Sequence, residues 1–235
     1  MLRRAFDILF AGAALLLASP LMILTAVAIS LDGGPVFFRQ KRSGLRGSEF
    51  GIFKFRSMRT HTMTTAELIK FHGQVTHSHP DVTLIGRWIR RFKVDELPQL
   101  INVVRGEMSV VGPRPTIPEQ VIEYTSYQLR RLEVRPGLTG WAQVNGGIEF
   151  SWPERILLDV WYVAHRTLWL DLWILLKTAS VVLFGDKRNV SALLKAEEFA
   201  RRSASNTQRS HTQPDLHSTA HALTAPRVTE AALKE

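Results

Sequence analysis

The chain has 235 residues, 45% of them hydrophobic, which is enough to bury one sizeable core and argues against a string of modules. It has no cysteine, which excludes a disulfide framework and a thiolate zinc site and leaves carboxylates, hydroxyls, imidazoles and cations to run any chemistry. A formal charge of +9 and a pI near 10.3 call for a polyanionic partner, and nucleic acid, an anionic membrane face and a nucleotide all qualify.

The first element is apolar. From Ile8 to Leu31 the 24 residues ILFAGAALLLASPLMILTAVAISL carry no charge, a run longer than the core of a secretory signal and followed by no convincing cleavage site. As one helix it would measure about 36 Å, enough to cross a hydrocarbon core of roughly 30 Å. Ser19 and Pro20 at its middle favour another path. Pro20 cannot donate to the carbonyl of Leu16 and its ring crowds that turn, so a kink is expected, with the Ser19 hydroxyl bonding back to a freed carbonyl. Two arms of about 12 residues would each reach about 18 Å, close to the depth of one leaflet. Arg3 and Arg4 precede the run, while Arg39, Lys41, Arg42 and Arg46 follow it, so the positive-inside tendency draws both flanks to the cytoplasmic side. Residues 1–33 are therefore expected to form a re-entrant membrane hairpin kinked at Ser19 and Pro20.

Two short strands are expected next, near Val36–Arg39 and Phe50–Phe55, separated by Gly and Ser turn residues. Most of the basic residues here suit a solvated rim or a lipid-headgroup patch. Lys54 and Arg56, alternating with Phe53 and Phe55, share one strand face and are the candidates for binding phosphate.

The polar stretch from His61 to Pro80 carries a short helix expected around Ala66–His72. His72, His77 and His79 have no carboxylate at ligand spacing and make a poor metal set. In LIGRWIRRFK, Leu84, Ile85, Trp88, Ile89 and Phe92 recur at helical spacing, with Arg87, Arg90, Arg91 and Lys93 opposite or flanking. Such a helix suits a membrane interface and equally an ordinary face packed on the core.

The densest signal is KVDELPQLINVVRGEMSVVGPRP, from Lys93 to Pro115. Asp95 is expected as an N-cap, with Pro98 in the first turn and the helix running to Arg105 and stopping at Gly106. The free amides of that helix start favour a phosphate, and the adjacent carboxylates of Asp95 and Glu96 suit a hard cation such as Mg²⁺. Capping alone explains the same two acids when they are taken by themselves. Arg114 adds the weight. Pro113 and Pro115 restrict the backbone around it and present a fixed guanidinium fitted to bidentate recognition of phosphate.

LWLDLWILLKTASVVLF has an apolar run of about 12 residues after Asp171, interrupted by Lys177; it is too short to span and either lies in the interface or closes the core. From Arg201 to Glu235 periodic apolar residues disappear, and a disordered tail is expected, with His211, His217 and His221 solvated.

The stretches GPVFFRQKR, FKFRSM, DELPQLINVVRGEMSVVGPRP, RPGLTGWAQVNG and LDVWYVAHRTLWLDLWILLKT, in that order from Phe6 to Thr178, resemble the bacterial sugar transferases, the monotopic phosphoglycosyl transferases that start glycan assembly on a polyprenyl phosphate. The chain looks like the compact form of that family. The resemblance implies that Asp95 attacks the sugar-bearing phosphorus of a UDP-sugar, expels UMP, and holds a phosphosugar that polyprenyl (undecaprenyl) phosphate then collects. It implies Glu96 as the magnesium-associated partner, Arg114 as a phosphate clamp, and Lys54 and Arg90 near the site. It also places Trp141, Gln143 and Asn145 in the active-site surround. The implied setting is the cytoplasmic face of a bacterial inner membrane, at the start of exopolysaccharide, O-antigen or related glycan assembly. One departure stands out: after VNG the family leads one to expect an arginine and an asparagine, where this chain has GIEFSW, which bears on donor-sugar preference.

Two other functions compete. A nucleic-acid binder explains the charge but matches no recognised motif here and sits badly with a lipid segment. A non-enzymatic scaffold on anionic lipid explains the apolar run and the basic patches but not the spacing from Asp95 and Glu96 to Arg114. The expected fold is α/β and helix-rich, a small antiparallel sheet with interfacial amphipathic helices, divided as a membrane hairpin (1–33), a catalytic domain (34–200) and a tail (201–235). No Gly-rich strand-to-helix turn points to a Rossmann domain. The expected partners are a UDP-sugar, polyprenyl phosphate and the bilayer, and the sequence leaves a homo-oligomer open.

Overall fold

The apolar run forms a single helix, α1 (Leu2–Leu31), with Pro20 inside it. The two-armed hairpin is thus not drawn as two elements, and the reason is local: the Ser19 hydroxyl donates to the Leu16 carbonyl at 2.7 Å, the acceptor that Pro20 leaves without an amide. The computed structural model describes residues 2–59, 79–185 and 187–212. The helix expected at Ala66–His72, the imidazoles of His72, His77, His211, His217 and His221, and the tail beyond Thr212 lie outside what is described.

Strands β1 (Phe37–Ser43) and β2 (Glu49–Phe55) pair antiparallel from Phe37↔Phe55 to Ser43↔Glu49, close to the expected positions. Helix α2 (Leu84–Arg91) starts under a cap in which the Thr83 side chain accepts from the Gly86 amide. Its Gly86 is pressed so close to the chain after β2 that a Cβ would lie 1.9 Å from the Ser57 carbonyl oxygen. A 3₁₀ turn (Val94–Glu96) then leads into α3 (Gln99–Arg105), which stops at Gly106 with φ 86°.

Next, β3 (Ser109–Val111) pairs in parallel with β4 (Gly137–Thr139), a second sheet that the sequence did not announce. The short helices α4 (Pro118–Val121) and α5 (Ser126–Leu129) lie between the two strands. After β4 come α6 (Trp141–Val144), α7 (Trp152–His165), α8 (Leu168–Phe184) and α9 (Val190–Thr212). The helix-rich class with a small antiparallel sheet stands.

One core joins Phe50 and Ile52 of β2 to Leu100 and Val103 of α3, Tyr162 of α7 and Ile174 of α8, with Ala11 of α1 completing it. A second gathers Phe55, Ile89 and Val94 around Ile29. Helix α1 is therefore part of the main body rather than a separate unit. The described residues up to Glu197 belong to one compact unit, and those from Glu198 to Thr212 to a second. In that second unit the chain from Arg201 remains helical as far as Thr212, which corrects the expectation of disorder there. The run AEEFARRSA is rich in strong helix formers, which favours that helix.

Three helices turn large apolar side chains outward: Leu9, Leu16 and Leu24 on α1, Leu84 and Trp88 on α2, and Trp169, Leu176 and Leu183 on α8. On α2 the opposite face buries Ile89, which bears out the expected face packed on the core. Helix α1 is long and apolar enough to cross a membrane.

Candidate active site

Chain direction reverses at Lys93, whose φ of 58° puts a non-glycine residue in the left-handed region and stores roughly 1 kcal/mol of strain. That turn ends α2 and delivers Asp95 and Glu96 from the 3₁₀ turn. Asp95 is not a cap, in contrast to the sequence expectation: α3 begins four residues later, behind Pro98, with no side-chain cap at all. Both carboxylates are thereby left for other work.

Glu96 is heavily engaged. Arg114 donates from Nη2 to its Oε1 at 2.6 Å and from Nη1 to its Oε2 at 3.4 Å, while Lys54 of β2 donates to Oε1 at 3.0 Å. Burial alone would raise Glu96, but the charges of Arg114 and Lys54 outweigh it and hold the carboxyl well below the usual range. Asp95 moves the other way: burial and the negative Glu96 push it up, against the pull of Lys54, Arg90 and Lys93. Its carboxylate has no hydrogen bond or ion pair among the described residues, though only 8% of the residue is exposed. The two neighbours therefore have opposite environments.

Arg114 owes its place to close backbone packing. A Cβ at Gly137 would meet the Gly112 amide nitrogen at 2.1 Å, and one at Gly140 would meet the Gly112 carbonyl oxygen at 2.1 Å. Only glycines allow β3 and β4 to run that close as GPRP leaves the sheet. The loop is then strapped down: Gly112 N donates to Thr139 O at 2.9 Å, Gly137 N to Pro113 O at 2.9 Å, and Ser43 N to Thr116 O at 2.8 Å.

Sequence reasoning missed Arg42. It is 4% exposed at the end of β1, donates to Gln40 Oε1 at 2.6 Å, and burial together with nearby Arg114 draws it down to about 10. An arginine inside GPVFFRQKR that alternates inward on β1 was the available signal. Burial likewise lowers Lys54 and Arg90, with Asp95 and Glu96 among the acids that counter it. Arg42, Lys54, Arg90 and Arg114 thus converge on Asp95 and Glu96, an excess of positive charge suited to a diphosphate.

The other sequence candidates lie elsewhere. Arg56 donates to the Ile29 carbonyl at 3.0 Å and closes the C-terminal end of α1. Trp141 stacks on Trp161 with ring centroids 4.8 Å apart, and Gln143 donates to Leu138 O at 3.1 Å. Asn145, fully buried, accepts from Lys177 at 3.0 Å and Asn189 at 2.8 Å. Among the described residues none of these four bonds to Asp95, Glu96 or Arg114; they secure α1, α6 and α8. His79 pairs with Asp81 at 3.7 Å, and no group of three metal-ligating side chains occurs among the described residues. For Mg²⁺ that number is not needed, since one or two carboxylates with substrate phosphates and water can complete its oxygen shell.

Comparison with known proteins identifies the family. The profile of the bacterial sugar transferase family matches residues 1–185. The chain is 40% identical over 200 residues to an uncharacterized sugar transferase, EpsL, of Bacillus subtilis, covering 85% of this chain and 96% of that one. It is 43% identical over 194 residues to an undecaprenyl-phosphate glucose phosphotransferase of Komagataeibacter xylinus, covering 77% of this chain but 36% of the relative. It is 38% identical over 195 residues to an undecaprenyl-phosphate galactose phosphotransferase of Salmonella typhimurium, covering 79% of this chain and 41% of the relative. This chain therefore spans under half the length of those two relatives. It belongs to the bacterial sugar transferase family.

Proposed function

We propose that this chain transfers a sugar-1-phosphate from a UDP-sugar to polyprenyl (undecaprenyl) phosphate, releasing UMP, through an aspartyl phosphosugar. The observation that carries this reading is the split between two adjacent carboxylates: among the described residues Glu96 is bound by two cations and Asp95 by none. A pair whose environments diverge in this way divides roles between its members. Glu96 anchors Arg114 and Lys54, while an Asp95 oxygen is left to attack the sugar-bearing phosphorus. As the Asp95 O–P bond forms, the bond to UMP breaks and its electron pair leaves with UMP. An oxygen of the lipid phosphate then attacks the same phosphorus and returns the Asp95 carboxylate. Arg42, Arg90 and Arg114 stabilise the charge that spreads over the phosphoryl oxygens. Mg²⁺ held by Asp95 and Glu96 would neutralise the diphosphate and favour UMP as a leaving group.

A covalent intermediate lets a soluble donor and a lipid acceptor use one site in turn, which suits a protein bound at a membrane. The outward apolar faces of α1, α2 and α8 support such binding. Both ends of α1 are tied to the main body: Arg4 donates to Val103 O at 2.6 Å, and Ile29 packs with Phe55, Ile89 and Val94. A helix crossing the bilayer upright would hold Arg4 and Ile29 about 38 Å apart on opposite sides. The shared anchorage favours both flanks on the cytoplasmic face of a bacterial inner membrane. Single cysteines at Leu2 and Lys41, in a chain with none of its own, should react with an impermeant maleimide only after spheroplasts are lysed. Labelling of one position in intact spheroplasts would show a spanning helix.

The activity is tested by UMP release from a panel of UDP-sugars, with Mg²⁺ and undecaprenyl phosphate in nanodiscs. One donor should release UMP and yield a lipid-linked sugar. A lipid-binding scaffold predicts no release with any donor, and that result would end the enzymatic proposal. The name of one relative, the exopolysaccharide production protein ExoY of Rhizobium meliloti, suggests exopolysaccharide assembly as the setting.

A further inference from the structure

Behind the GPRP loop lies a charge that the chemistry just described does not use. Arg131, in the 3₁₀ turn Arg130–Glu133, is 1% exposed. Its Nη2 donates to Asp159 Oδ2 of α7 at 2.6 Å and also to the backbone carbonyl of Arg114 at 2.9 Å. Its Nη1 donates to the Tyr124 hydroxyl at 2.7 Å, and that hydroxyl donates to Thr116 Oγ1 at 3.3 Å. The guanidinium also lies 5.0 Å from the centre of the Trp152 ring. One buried cation thus fastens both Arg114 and Thr116 to α7.

Stability alone is a weak reason for such a device. Removing two charges from water costs several kcal/mol, and a well-packed apolar pair of the same size is often as stable or more so. The Nε of Arg131 finds no partner among the described residues, a further cost that a purely stabilising pair would avoid. The geometry instead serves direction. Arg114 has its neighbour Pro113 bonded to Gly137 on one side and its own carbonyl held by Arg131 on the other, so its side chain is aimed at Glu96 from a backbone fixed at both ends.

We propose that the buried Arg131–Asp159 pair is a positioning device for Arg114, holding its carbonyl so that the guanidinium meets Glu96 and the donor phosphates in one orientation. Arg131 and Asp159 touch no reacting atom and act through Arg114. The inference rests on the reading of Arg114 as a phosphate-binding residue. Lysine at position 131 keeps the charge facing Asp159 but lacks the fork that reaches Asp159, Tyr124 and the Arg114 carbonyl together.

The test is a double-mutant cycle of Arg131→Lys and Arg114→Lys. It is read as the initial rate of UMP release from an equimolar mixture of UDP-glucose, UDP-galactose and their N-acetyl forms, with thermal midpoints measured beside it. Arg131→Lys alone should lower that rate by about tenfold or more, while adding less than about twofold in the Arg114→Lys background. A second tenfold loss in that background would mean that the two residues act independently and would overturn the proposal, as would a single Arg131→Lys variant within twofold of wild type. Wild-type rates in Arg114→Lys alone would instead remove Arg114 from the site, a failure of the earlier reading that the cycle separates from a failure of this one. The variant Arg131→Met/Asp159→Leu supplies an arm that needs no donor: its midpoint should stay within a few degrees of wild type, and a collapse would make the pair a stabiliser instead.

Discussion

Asp95→Asn should lower turnover by about 10³-fold or more while leaving the protein folded and membrane-bound. Asparagine matches aspartate in size, and the carboxylate it replaces neither caps α3 nor accepts a hydrogen bond among the described residues, so no structural partner is lost. The change also removes a negative charge that sits beside Glu96 and is pushed up by burial, so the thermal midpoint should equal or exceed that of wild type. Loss of activity without loss of stability marks a residue kept for chemistry. With donor and Mg²⁺ but no lipid acceptor, the wild-type protein should release up to one UMP per active site and add the mass of one phosphosugar to the peptide containing Asp95. An acyl phosphate is labile, so rapid acid quenching is needed to see it. Robust turnover by Asp95→Asn, or UMP release that strictly requires polyprenyl phosphate, would transfer the attacking role to the lipid phosphate and leave Asp95 as a metal ligand.

Much of this centre was legible because short-range rules govern it. DELP announced a helix start with two adjacent acids, GPRP a rigid arginine, and the alternation of Lys54 with Phe53 and Phe55 a cation on one strand face. Other features depend on contacts distant in sequence. Arg42 shows its role only when β1 pairs with β2 and Ser43 bridges to Thr116. The parallel pairing of β3 with β4 depends on three glycines brought together across 28 residues, from Gly112 to Gly140, and no local pattern encodes it. Arg56 misled for a related reason. Strand alternation placed it beside Lys54, but the strand ends at Phe55, and the guanidinium turns to the carbonyl end of α1. Asp95 misled in its type of turn. Acid-then-proline suits a helix N-cap, whereas left-handed Lys93 sets a 3₁₀ turn first and moves the true helix start to Gln99. At Pro20, the hydroxyl bond was foreseen but its consequence was not, since it keeps α1 helical through the proline.

Glu96→Gln should be costly in two separable ways. Glu96, Lys54 and Arg114 have side chains 12%, 17% and 24% exposed, so the carboxylate is the counter-charge for two largely desolvated cations. Removing one member of a fully buried pair typically costs 3–5 kcal/mol, and partial exposure here reduces that to about 2–3 kcal/mol. For a chain of this size the thermal midpoint should fall by roughly 5–10 °C. Activity should fall at the same time, because the amide is a poor ligand for a hard cation and a weak anchor for the Arg114 fork. The two effects come apart in the double variant Glu96→Gln/Lys54→Met, in which the buried ammonium goes with its partner while Arg114 stays without its counter-charge: part of the lost midpoint should return, and turnover should not. Unchanged stability in Glu96→Gln would show that the charge of Glu96 does not hold the cations in place, and the division of labour between Glu96 and Asp95 would lose its physical basis.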